Sequence, residues 1–336
     1  MPDERLGIGV IGLGVGAAHA RAYAADGRCE LRWLHDLDRN KAAGLAAELG
    51  VGAVASSYEQ VLEDPAVGVV SIASFDDAHF GQVLAALRAG KHVFVEKPLC
   101  RTQEEVETLR STWRECGRPQ LASNLVLRAA PLYRWLRDER IAGRLGTAYA
   151  FDGDYLYGRL HKITEEWRKD VVDYSVMLGG GVHLVDLMLW ITGERPTSVT
   201  AVGNRISTEE TAFRYLDHVA ATFRFPSGLV GRITANFGSV HPHQHVVRVF
   251  ATGASIIYDD QGPRRYATRD PARPPELLEL AALPAGKGDL IPAFVDGIVA
   301  GLDTTAATEH EFAVISACAA ADETVAKGVE VDIDYG

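Results

Sequence analysis

The sequence predicts an α/β fold in two domains, a doubly wound parallel sheet followed by an α+β domain built on a mostly antiparallel sheet. Short apolar runs alternate with helical stretches as far as residue 123, which is typical of a parallel sheet with helices on both faces. After Gly146 several strand patterns follow in close succession, which indicates antiparallel pairing. The chain of 336 residues is too long for one ordinary core, so we place the domains at residues 1–123 and 124–336.

The predicted elements follow this division. Strands of the first domain are expected at residues 6–11, 29–34, 54–55, 67–74, 92–95 and 120–123. Strands of the second domain are expected at residues 147–157, 198–203, 218–225, 229–237 and 246–252. The clearest helices are predicted at residues 41–49, 58–62, 102–116, 131–141, 179–191, 289–302 and 309–327, and residues 269–275 are predicted to be an exposed loop.

A glycine-rich turn follows the first strand and leads into an alanine-rich helix. In this setting the pattern Gly-x-Gly-x-x-Gly/Ala indicates dinucleotide binding. Gly12 allows a tight turn, and Gly14 lets a pyrophosphate approach the backbone. Ala17 permits close packing of the helix on the strand. A turn that binds nothing explains the motif alone equally well. The cofactor-binding candidates here are Gly12, Gly14, Val15, Gly16 and Ala17.

Asp36 ends the second predicted strand, 24 positions after Gly12. A carboxylate at this place is suited to bind the ribose hydroxyls of an adenosine. It would repel a 2′-phosphate, so the sequence favours NAD over NADP, although Arg39 could counter that repulsion. A solvated position at a helix start is the simpler role for Arg39.

A short buried strand leads into Glu96-Lys97-Pro98. Parallel α/β sheets hold their ligands outside the carboxyl ends of their strands, and Lys97 lies there. Because the residue before a proline is disfavoured in helix, Pro98 also restricts the backbone of the lysine. We expect the chain to bring a cofactor and a substrate to Lys97.

The second domain contains a glycine triplet, residues 179–181, followed by His183 and Asp186. The last two are three residues apart and therefore share one face of a helix. A carboxylate beside an imidazole fixes its tautomer and stabilises its protonated form, as a general base requires. Taken alone, the pair is explained better by a buried His–Asp couple whose members only satisfy each other.

Composition excludes several classes of function. The net charge of −11 argues against nucleic acid and anionic membranes as partners. The four cysteines are scattered, which indicates a reducing cytoplasmic setting without disulfides or a zinc finger. The polar start of the chain argues against a signal peptide, and no apolar run approaches the ~20 residues needed to span a bilayer.

Together these motifs resemble the glucose-fructose oxidoreductase/inositol dehydrogenase/MocA family over essentially the whole chain. The resemblance depends on the following residues: Gly12-x-Gly14, Asp36, Ser74 with His79 five positions on, Ala89-Gly90-Lys91-His92-Val93 leading to Glu96-Lys97-Pro98, and Gly181-x-His183-x-x-Asp186. It implies a Rossmann domain and an α+β domain whose large open sheet often forms dimer or tetramer contacts. It further implies a nicotinamide cofactor and hydride transfer at a secondary alcohol of a sugar, a phosphate- or nucleotide-linked sugar derivative, or a cyclitol.

The resemblance also implies roles for single residues. Lys97 matches the catalytic lysine, often followed by a cis Lys–Pro bond, and His183 and Asp186 match the proton-relay pair. Cofactor contacts are expected from Asp36, Ser74, Phe75, His79, Glu96 and Lys97. Substrate contacts are expected from His183 and from Trp167 and Arg168, which resemble a recurrent family pair. By their places at strand ends, Asn124, Arg128 and Tyr157 are further candidates for substrate contact. Surface or packing use explains each of these candidates singly at least as well. We expect His183 to take the hydroxyl proton, Asp186 to stabilise the imidazolium, and Lys97 to stabilise the alkoxide.

The chain departs from the family pattern at three places. The glycine loop is one residue shorter before its histidine, so no role is expected for His19. Ser74-Phe75-Asp76 stands where Thr-Pro-Asn is commoner. Gly179 occupies a position that often carries an aspartate, so a substrate-binding carboxylate would come from elsewhere, with Asp154, Asp170 and Asp173 as candidates.

The run His241-Pro242-His243-Gln244-His245 requires its own interpretation. Histidines two apart on a strand point the same way, so three could hold a metal. Pro242 disfavours a regular strand and the family is metal-free, so we predict no metal site and a polar loop at a pocket rim or subunit interface.

Three functions remain open at this point. The first is an NAD-dependent sugar or cyclitol dehydrogenase, with NADP as a second cofactor choice. The second is an NAD-dependent glycosidase on the same scaffold. The third is a non-catalytic NAD-binding regulator, against which the presence of Lys97, His183 and Asp186 together argues. The expected assembly is a homodimer or homotetramer.

Overall fold

The computed structural model describes residues 5–50 and 53–336. The first four residues, which bear on the signal-peptide prediction, lie outside the described residues. The described chain forms two compact units. The first comprises the described residues up to Val126 together with Ala285–Phe312, and the second comprises Leu127–Pro284 and Ala313–Gly336.

The first unit is built on six parallel strands in the order β3-β2-β1-β4-β5-β6. The strands are β1 (Leu6–Ile11), β2 (Cys29–His35), β3 (Ala53–Val54), β4 (Val69–Ile72), β5 (His92–Val95) and β6 (Leu121–Ser123). The helices between them are α1 (Gly16–Ala25), α2 (Arg39–Leu49), α3 (Tyr58–Glu63), α4 (His79–Arg88) and α5 (Gln103–Glu115). The strand order reverses direction between β1 and β4, which is where doubly wound sheets bind their ligands.

Local sequence explains these helix boundaries. Asp38 begins α2 by accepting hydrogen bonds from the backbone N–H groups of Asn40 and Lys41. The left-handed Gly50, at φ 63°, ends the same helix. Thr102 and Glu105 form a reciprocal capping box at the start of α5.

All four residues of β4 are buried, as expected for a central parallel strand.

The second unit carries a nine-stranded sheet in the order β14-β13-β12-β11-β7-β10-β9-β8-β15. Its elements up to β14 are α6 (Pro131–Ile141), β7 (Ala148–Leu156), α7 (His161–Thr164), α8 (Val182–Thr192), β8 (Ser198–Asn204), β9 (His218–Arg224), β10 (Val230–Asn236), β11 (Gln244–Ala251), β12 (Ser255–Asp259), β13 (Gly262–Tyr266) and β14 (Glu276–Leu277). Among the described strands, β7 and β10 pair in parallel and the other neighbours are antiparallel. The predicted fold class is confirmed for both units.

One face of this sheet packs against α8. Successive residues of a strand point to opposite faces, and on β7 Phe151, Gly153 and Tyr155 are buried while Asp152 and Asp154 alternate with them. Gly153 makes room for the helix, since a Cβ atom there would lie 3.2 Å from the Cβ of Leu184. The face of β7 that carries Tyr155 is therefore the one directed at α8.

The chain then returns to the first unit through α9 (Ile291–Val299), and α10 (Thr305–Lys327) and β15 (Val331–Asp332) complete the described structure. A single boundary after residue 123 assigns residues 285–312 to the second domain, and the structure differs from that prediction. Ile291 and Phe294 belong to the apolar core of the first unit, and the ring of Phe294 lies 5.3 Å from that of Phe94. Burial of this apolar surface, rather than order along the chain, decides where α9 packs.

The predicted exposed loop at residues 269–275 is confirmed, since six of its residues are exposed and one is half-buried. The short strands β12 to β15 were not predicted. No helix within residues 5–50 and 53–336 combines the length and apolar character needed to cross a membrane.

Candidate functional site

The glycine turn after β1 is shaped for close approach of a ligand. Gly12 has φ 79°, and a Cβ atom there would lie 2.6 Å from the backbone nitrogen of Ser74, so no other residue fits. A Cβ atom at Gly14 would meet nothing within 4 Å, and Gly14 is exposed. The turn thus presents open backbone just before the N-terminus of α1, which suits the phosphates of a dinucleotide.

The close contact between helix and strand is at Gly16, whereas the motif spacing predicts it at Ala17. Gly16 is buried, and a Cβ atom there would lie 3.1 Å from the Cβ of Ala73 and 3.3 Å from Cγ1 of Val10. Ala17 is half-buried against the core. The shorter loop moves the contact one residue toward the turn.

Asp36 fastens the glycine turn to β2. Its Oδ2 accepts a hydrogen bond from the backbone N–H of Leu13 at 2.7 Å, and its Oδ1 accepts one from Asp38 at 2.9 Å. Burial acts to raise the pKa of this carboxyl, but the two N–H groups and Lys41, whose Nζ lies 3.4 Å away, lower it below its usual value. The carboxylate is therefore ionised and fixed beside the turn.

The segment after β5 carries Glu96 and Lys97, both half-buried, and the Lys97–Pro98 peptide bond is cis, as the resemblance implies. His79 fixes this segment. Its Nδ1 lies 2.7 Å from the carbonyl oxygen of Pro98 and its Nε2 lies 3.2 Å from that of Ser74. The side chain of His79 is fully buried between two backbone carbonyls, and its expected cofactor contact stays a prediction.

Ser74 and Phe75 follow β4. The hydroxyl of Ser74 donates to Oε1 of Gln82 at 2.6 Å, so it is oriented by α4. The side chain of Phe75 is 47% exposed, which leaves an aromatic surface at the carboxyl end of the sheet. Both residues stay candidates for cofactor contact.

Glu96 belongs to a buried polar network that the sequence analysis missed. His19 is fully buried, with Nε2 3.2 Å from Oε1 of Glu96 and Nδ1 3.0 Å from the Ser71 hydroxyl. Asn124 is only 1% exposed and donates to the same Oε1 at 2.6 Å. Asn124 is thus held within this network, and its expected contact with substrate stays a prediction; His19, for which no role was expected, has Ser71 and Glu96 as partners. The histidine in the first helix was the feature of the sequence that could have indicated this network.

The glycine triplet of the second unit forms a π-helical turn, Met177–Gly181, before α8. A side chain at Gly179 would overlap the ring of Tyr174, whose Cζ would lie 2.8 Å from its Cβ atom. A side chain at Gly180 would overlap the ring of Tyr155 in the same way, with Cδ1 at 2.7 Å. The aromatic ring of Tyr174 therefore fills the space that a carboxylate side chain at position 179 would need.

Asp186 is fully buried and forms a bidentate ion pair. Arg128 donates from Nη2 to Oδ1 at 2.5 Å and from Nε to Oδ2 at 2.9 Å. Two nitrogens of Arg128 thus support Asp186 in α8, and the expected substrate contact of Arg128 stays a prediction.

His183 lies in a cluster of aromatic and imidazole rings. The ring of Tyr155 is nearly parallel to it at 6.4 Å, and the ring of His245 is perpendicular to it at 5.9 Å. The ring centres of His243 and His245 are 4.9 Å apart. Tyr157 is buried against Phe237 in the same cluster. His183 itself is 8% exposed. These rings offer flat apolar faces with nitrogen and hydroxyl groups at their edges.

The histidine run is a loop as predicted at residues 241–243, whereas residues 244 and 245 begin β11. His245 is buried within β11 and pairs in register with Tyr155. Nδ1 of His243 lies 3.1 Å from the carbonyl oxygen of Tyr157. His241 and His243 are both half-buried, and Nε2 of His241 lies 3.2 Å from Oδ2 of Asp260. Among the described residues, no three His, Cys, Asp or Glu side chains are grouped in a way that could hold a metal.

The remaining candidates are more dispersed. Trp167 and Arg168 are half-exposed, and the guanidinium lies over the indole ring at 4.3 Å. Asp154 accepts hydrogen bonds from Thr234 at 2.8 Å and from Arg248 at 3.0 Å, on the face of the sheet away from Tyr155. Its carboxylate is thus committed to other residues and is not a replacement for an acid at position 179.

Comparison with protein families matches both units. Residues 6–122 match the model described as the oxidoreductase family, NAD-binding Rossmann fold, and residues 133–257 match the GFO/IDH/MocA C-terminal domain. The first unit is thus an NAD-binding Rossmann domain, and the predicted cofactor class is confirmed.

Named relatives show moderate identity. The chain is 32% identical over 197 residues to 1,5-anhydro-D-fructose reductase of Ensifer adhaerens, covering 57% of each protein. It is 32% identical over 200 residues to inositol 2-dehydrogenase 2 of Saccharopolyspora erythraea, covering 58% of this chain and 56% of the relative. The matched part thus spans little more than half the length of these two relatives. UDP-N-acetylglucosamine 3-dehydrogenase of Acidithiobacillus ferrooxidans is 30% identical over 263 residues, with 78% of this chain and 73% of the relative covered.

Solved structures agree on the fold. Levoglucosan dehydrogenase in complex with NADH and levoglucosan superimposes with a TM-score of 0.84 at 24% identity, covering 98% of this chain and 99% of the other. The two family models and the overlap with the named relatives lead to one conclusion: the chain belongs to the GFO/IDH/MocA family of oxidoreductases.

Proposed function

We propose that the protein is an NAD-dependent dehydrogenase that transfers hydride between nicotinamide and a secondary alcohol of a sugar, a sugar derivative or a cyclitol. The observation that carries this proposal is family membership together with the presence of Lys97 and His183. The named relatives act on anhydro sugars, inositols or nucleotide-linked sugars, as their names state.

The cofactor side of the proposal is supported by the glycine turn. Gly14 exposes backbone N–H groups before α1, and the fixed carboxylate of Asp36 suits the ribose hydroxyls of NAD. An ionised carboxylate at this place would repel the extra phosphate of NADP. We therefore infer a preference for NAD.

The substrate side is supported by the ring cluster around His183. A cyclic polyol has C–H faces that pack on aromatic rings and hydroxyl groups that need polar partners. Tyr155 and Tyr157 supply such faces, and His183 and His245 supply nitrogen atoms beside them. Because the ring of Tyr174 fills the space at Gly179, we infer that recognition here depends on imidazole and aromatic groups rather than on a carboxylate.

The proposed roles of this chain's residues follow from their chemistry. Lys97 donates hydrogen bonds to the substrate oxygen and favours its alkoxide form. His183 takes the hydroxyl proton as general base. Bound NAD would supply the hydride acceptor at the nicotinamide ring. Asp186 is paired with Arg128 and lies three residues after His183 in α8. Its negative charge stabilises the imidazolium form of His183.

The test is a panel of free, phosphorylated and nucleotide-linked sugars and inositols, scored by reduction of NAD and NADP. With the best substrate, Lys97→Met is expected to lower kcat by about two to four powers of ten, because a cation on the reacting oxygen is lost. Affinity for NADH, measured by fluorescence, should fall much less than kcat, because Lys97 is one of several expected cofactor contacts. Lys327→Met is the matched control, since Lys327 lies in the last turn of α10 and pairs with Glu323.

Three outcomes would contradict the proposal. Near-normal turnover of Lys97→Met would remove the lysine from the reaction. Cleavage of a glycoside without net NADH formation would favour the glycosidase alternative, and cofactor binding without any turnover on the panel would favour the regulator.

A further inference from the structure

A buried polar network in the first unit joins α1 and β4 to the ends of β5 and β6. Its centre is the ring of His19, which contacts Ser71 at 3.0 Å and Glu96 at 3.2 Å. Asn124 donates from Nδ2 to Glu96 at 2.6 Å and to the carbonyl oxygen of Lys287 at 2.8 Å. The edge of the imidazole packs on Phe94 with the ring centres 5.2 Å apart.

Counting hydrogen atoms fixes the orientation of His19. The amide of Asn124 has two hydrogens, and both go to carbonyl or carboxylate oxygens. Its contact of 3.1 Å with Nε2 of His19 therefore supplies no hydrogen to the ring. Since a carboxylate accepts only, Nε2 must itself carry the hydrogen that binds Glu96. In the neutral ring Nδ1 then accepts from the Ser71 hydroxyl.

The same contacts keep Glu96 charged. Burial acts to raise the pKa of this carboxyl, but His19 of α1, Asn124 and the neighbouring Lys97 outweigh burial and bring it to about 2. His19 and Lys97 are the titratable groups that face it. Both hydrogen bonds end on Oε1, so the direction of Oε2 is fixed as well. Glu96 is a rigid anion next to Lys97 in the chain.

We propose that His19 is a positioning residue, whose Nε2–H bond fixes the Glu96 carboxylate at the end of β5 and thereby sets the orientation of Lys97. This inference rests on the proposed function, in which Lys97 binds the reacting oxygen. A carboxylate that is free to rotate would leave the ammonium of Lys97 in several arrangements. Turnover would then fall more than cofactor affinity.

The experiment compares two amide replacements of His19. His19→Gln places an N–H donor close to the position of Nε2 and can still bind Glu96. His19→Asn places its amide close to Nδ1, where it reaches Ser71 but not Glu96. Both remove the ring and its packing on Phe94, so a purely structural role would affect the two variants alike. The pair therefore isolates the bond to the carboxylate.

We expect His19→Asn to lower kcat about 10- to 100-fold, as loss of a supporting partner does at other sites, while the KM for NAD changes little. His19→Gln should recover most of this loss. A readout independent of activity is the carboxyl infrared band of Glu96 between pH 4 and 6, assigned with Glu96→Gln. Loss of the donor leaves burial to dominate and raises the pKa, so protonated Glu96 should be visible in His19→Asn and weak in His19→Gln.

Equal kcat values and equal Glu96 titration in the two variants would overturn the inference. Ser71→Ala provides a milder variant if His19→Asn does not fold, and it should lower kcat less than tenfold without protonating Glu96; loss of Glu96 ionisation there would also overturn it. Normal turnover of Lys97→Met would instead defeat the proposed function, and the infrared titration would still decide whether His19 fixes Glu96.

Discussion

Among the charged residues of the second unit that have a role in the proposed function, Asp186 is the most deeply buried. It is fully buried, and Arg128, whose side chain is 16% exposed, matches it with two hydrogen bonds. A buried ion pair adds little net stability, but removing one partner leaves an unmatched buried charge. The pair is therefore a sensitive position for both folding and turnover.

We expect Arg128→Met to lower the free energy of unfolding by about 3–5 kcal/mol, because Asp186 loses its counter-charge. Urea denaturation followed by circular dichroism measures this change. The double variant Arg128→Met with Asp186→Leu should recover part of the stability and none of the activity. A single variant as stable as the parent would show that Asp186 is neutral or otherwise compensated.

The positions and contacts of single side chains in the candidate site were only partly predictable from the sequence. Asp36 and Lys97 follow strands at their carboxyl ends, so their places come directly from the strand pattern. The network of His19, Glu96 and Asn124 joins residues up to 105 positions apart, and no local pattern encodes such contacts. The pairing of Arg128 with Asp186 was missed for the same reason.

The π-helical turn before α8 depends on its three glycines. Tyr174 and Tyr155 pack directly on the backbone at Gly179 and Gly180, and Met177 does so at Gly181. π-Turns within helices are frequent at functional sites, and this one precedes His183. The turn gives the two tyrosine rings their close approach to the helix.

Gly179→Ala should destabilise the protein by about 1–3 kcal/mol, because the added methyl group overlaps the ring of Tyr174. Gly44→Ala is the control, since Gly44 lies inside α2 and a Cβ atom there meets nothing within 4 Å. The control should raise stability by up to about 1 kcal/mol through helix propensity. Thermal unfolding of both variants gives the comparison. Equal effects would show that the space at Gly179 is not needed.

Prediction of elements was most accurate where periodicity was strong. The helix at Pro131–Ile141 has the predicted limits, and the glycine-led helix before Gly193 was found without its π-turn. The strands β12 to β15 were missed because they have between two and five residues and lie among turn-forming or charged residues. Their existence depends on pairing with β11 and β8 rather than on local propensity.

The whole chain crosses between its two units more than once, and the sequence predicted a single crossing. Ile291, Phe294 and Val295 complete the apolar core of the first unit, which lacks them in any division after residue 123. An amphipathic pattern shows that one side of a helix is buried, but it does not show which sheet covers that side. The fold class was predictable from the pattern of elements, whereas this connection required the packing itself.

The central proposal concerns the molecule as a whole: the protein transfers a hydride from an alcohol carbon to NAD. The most direct measurement uses the best substrate of the panel with deuterium at its carbinol carbon, and mass spectrometry of the reduced cofactor. The account predicts one deuterium per NADH formed, together with a ketone product, and a rate of deuterium transfer that falls by about two to four powers of ten in Lys97→Met but is unchanged in Lys327→Met. Reduced cofactor without deuterium, or equal transfer by Lys97→Met, would contradict it.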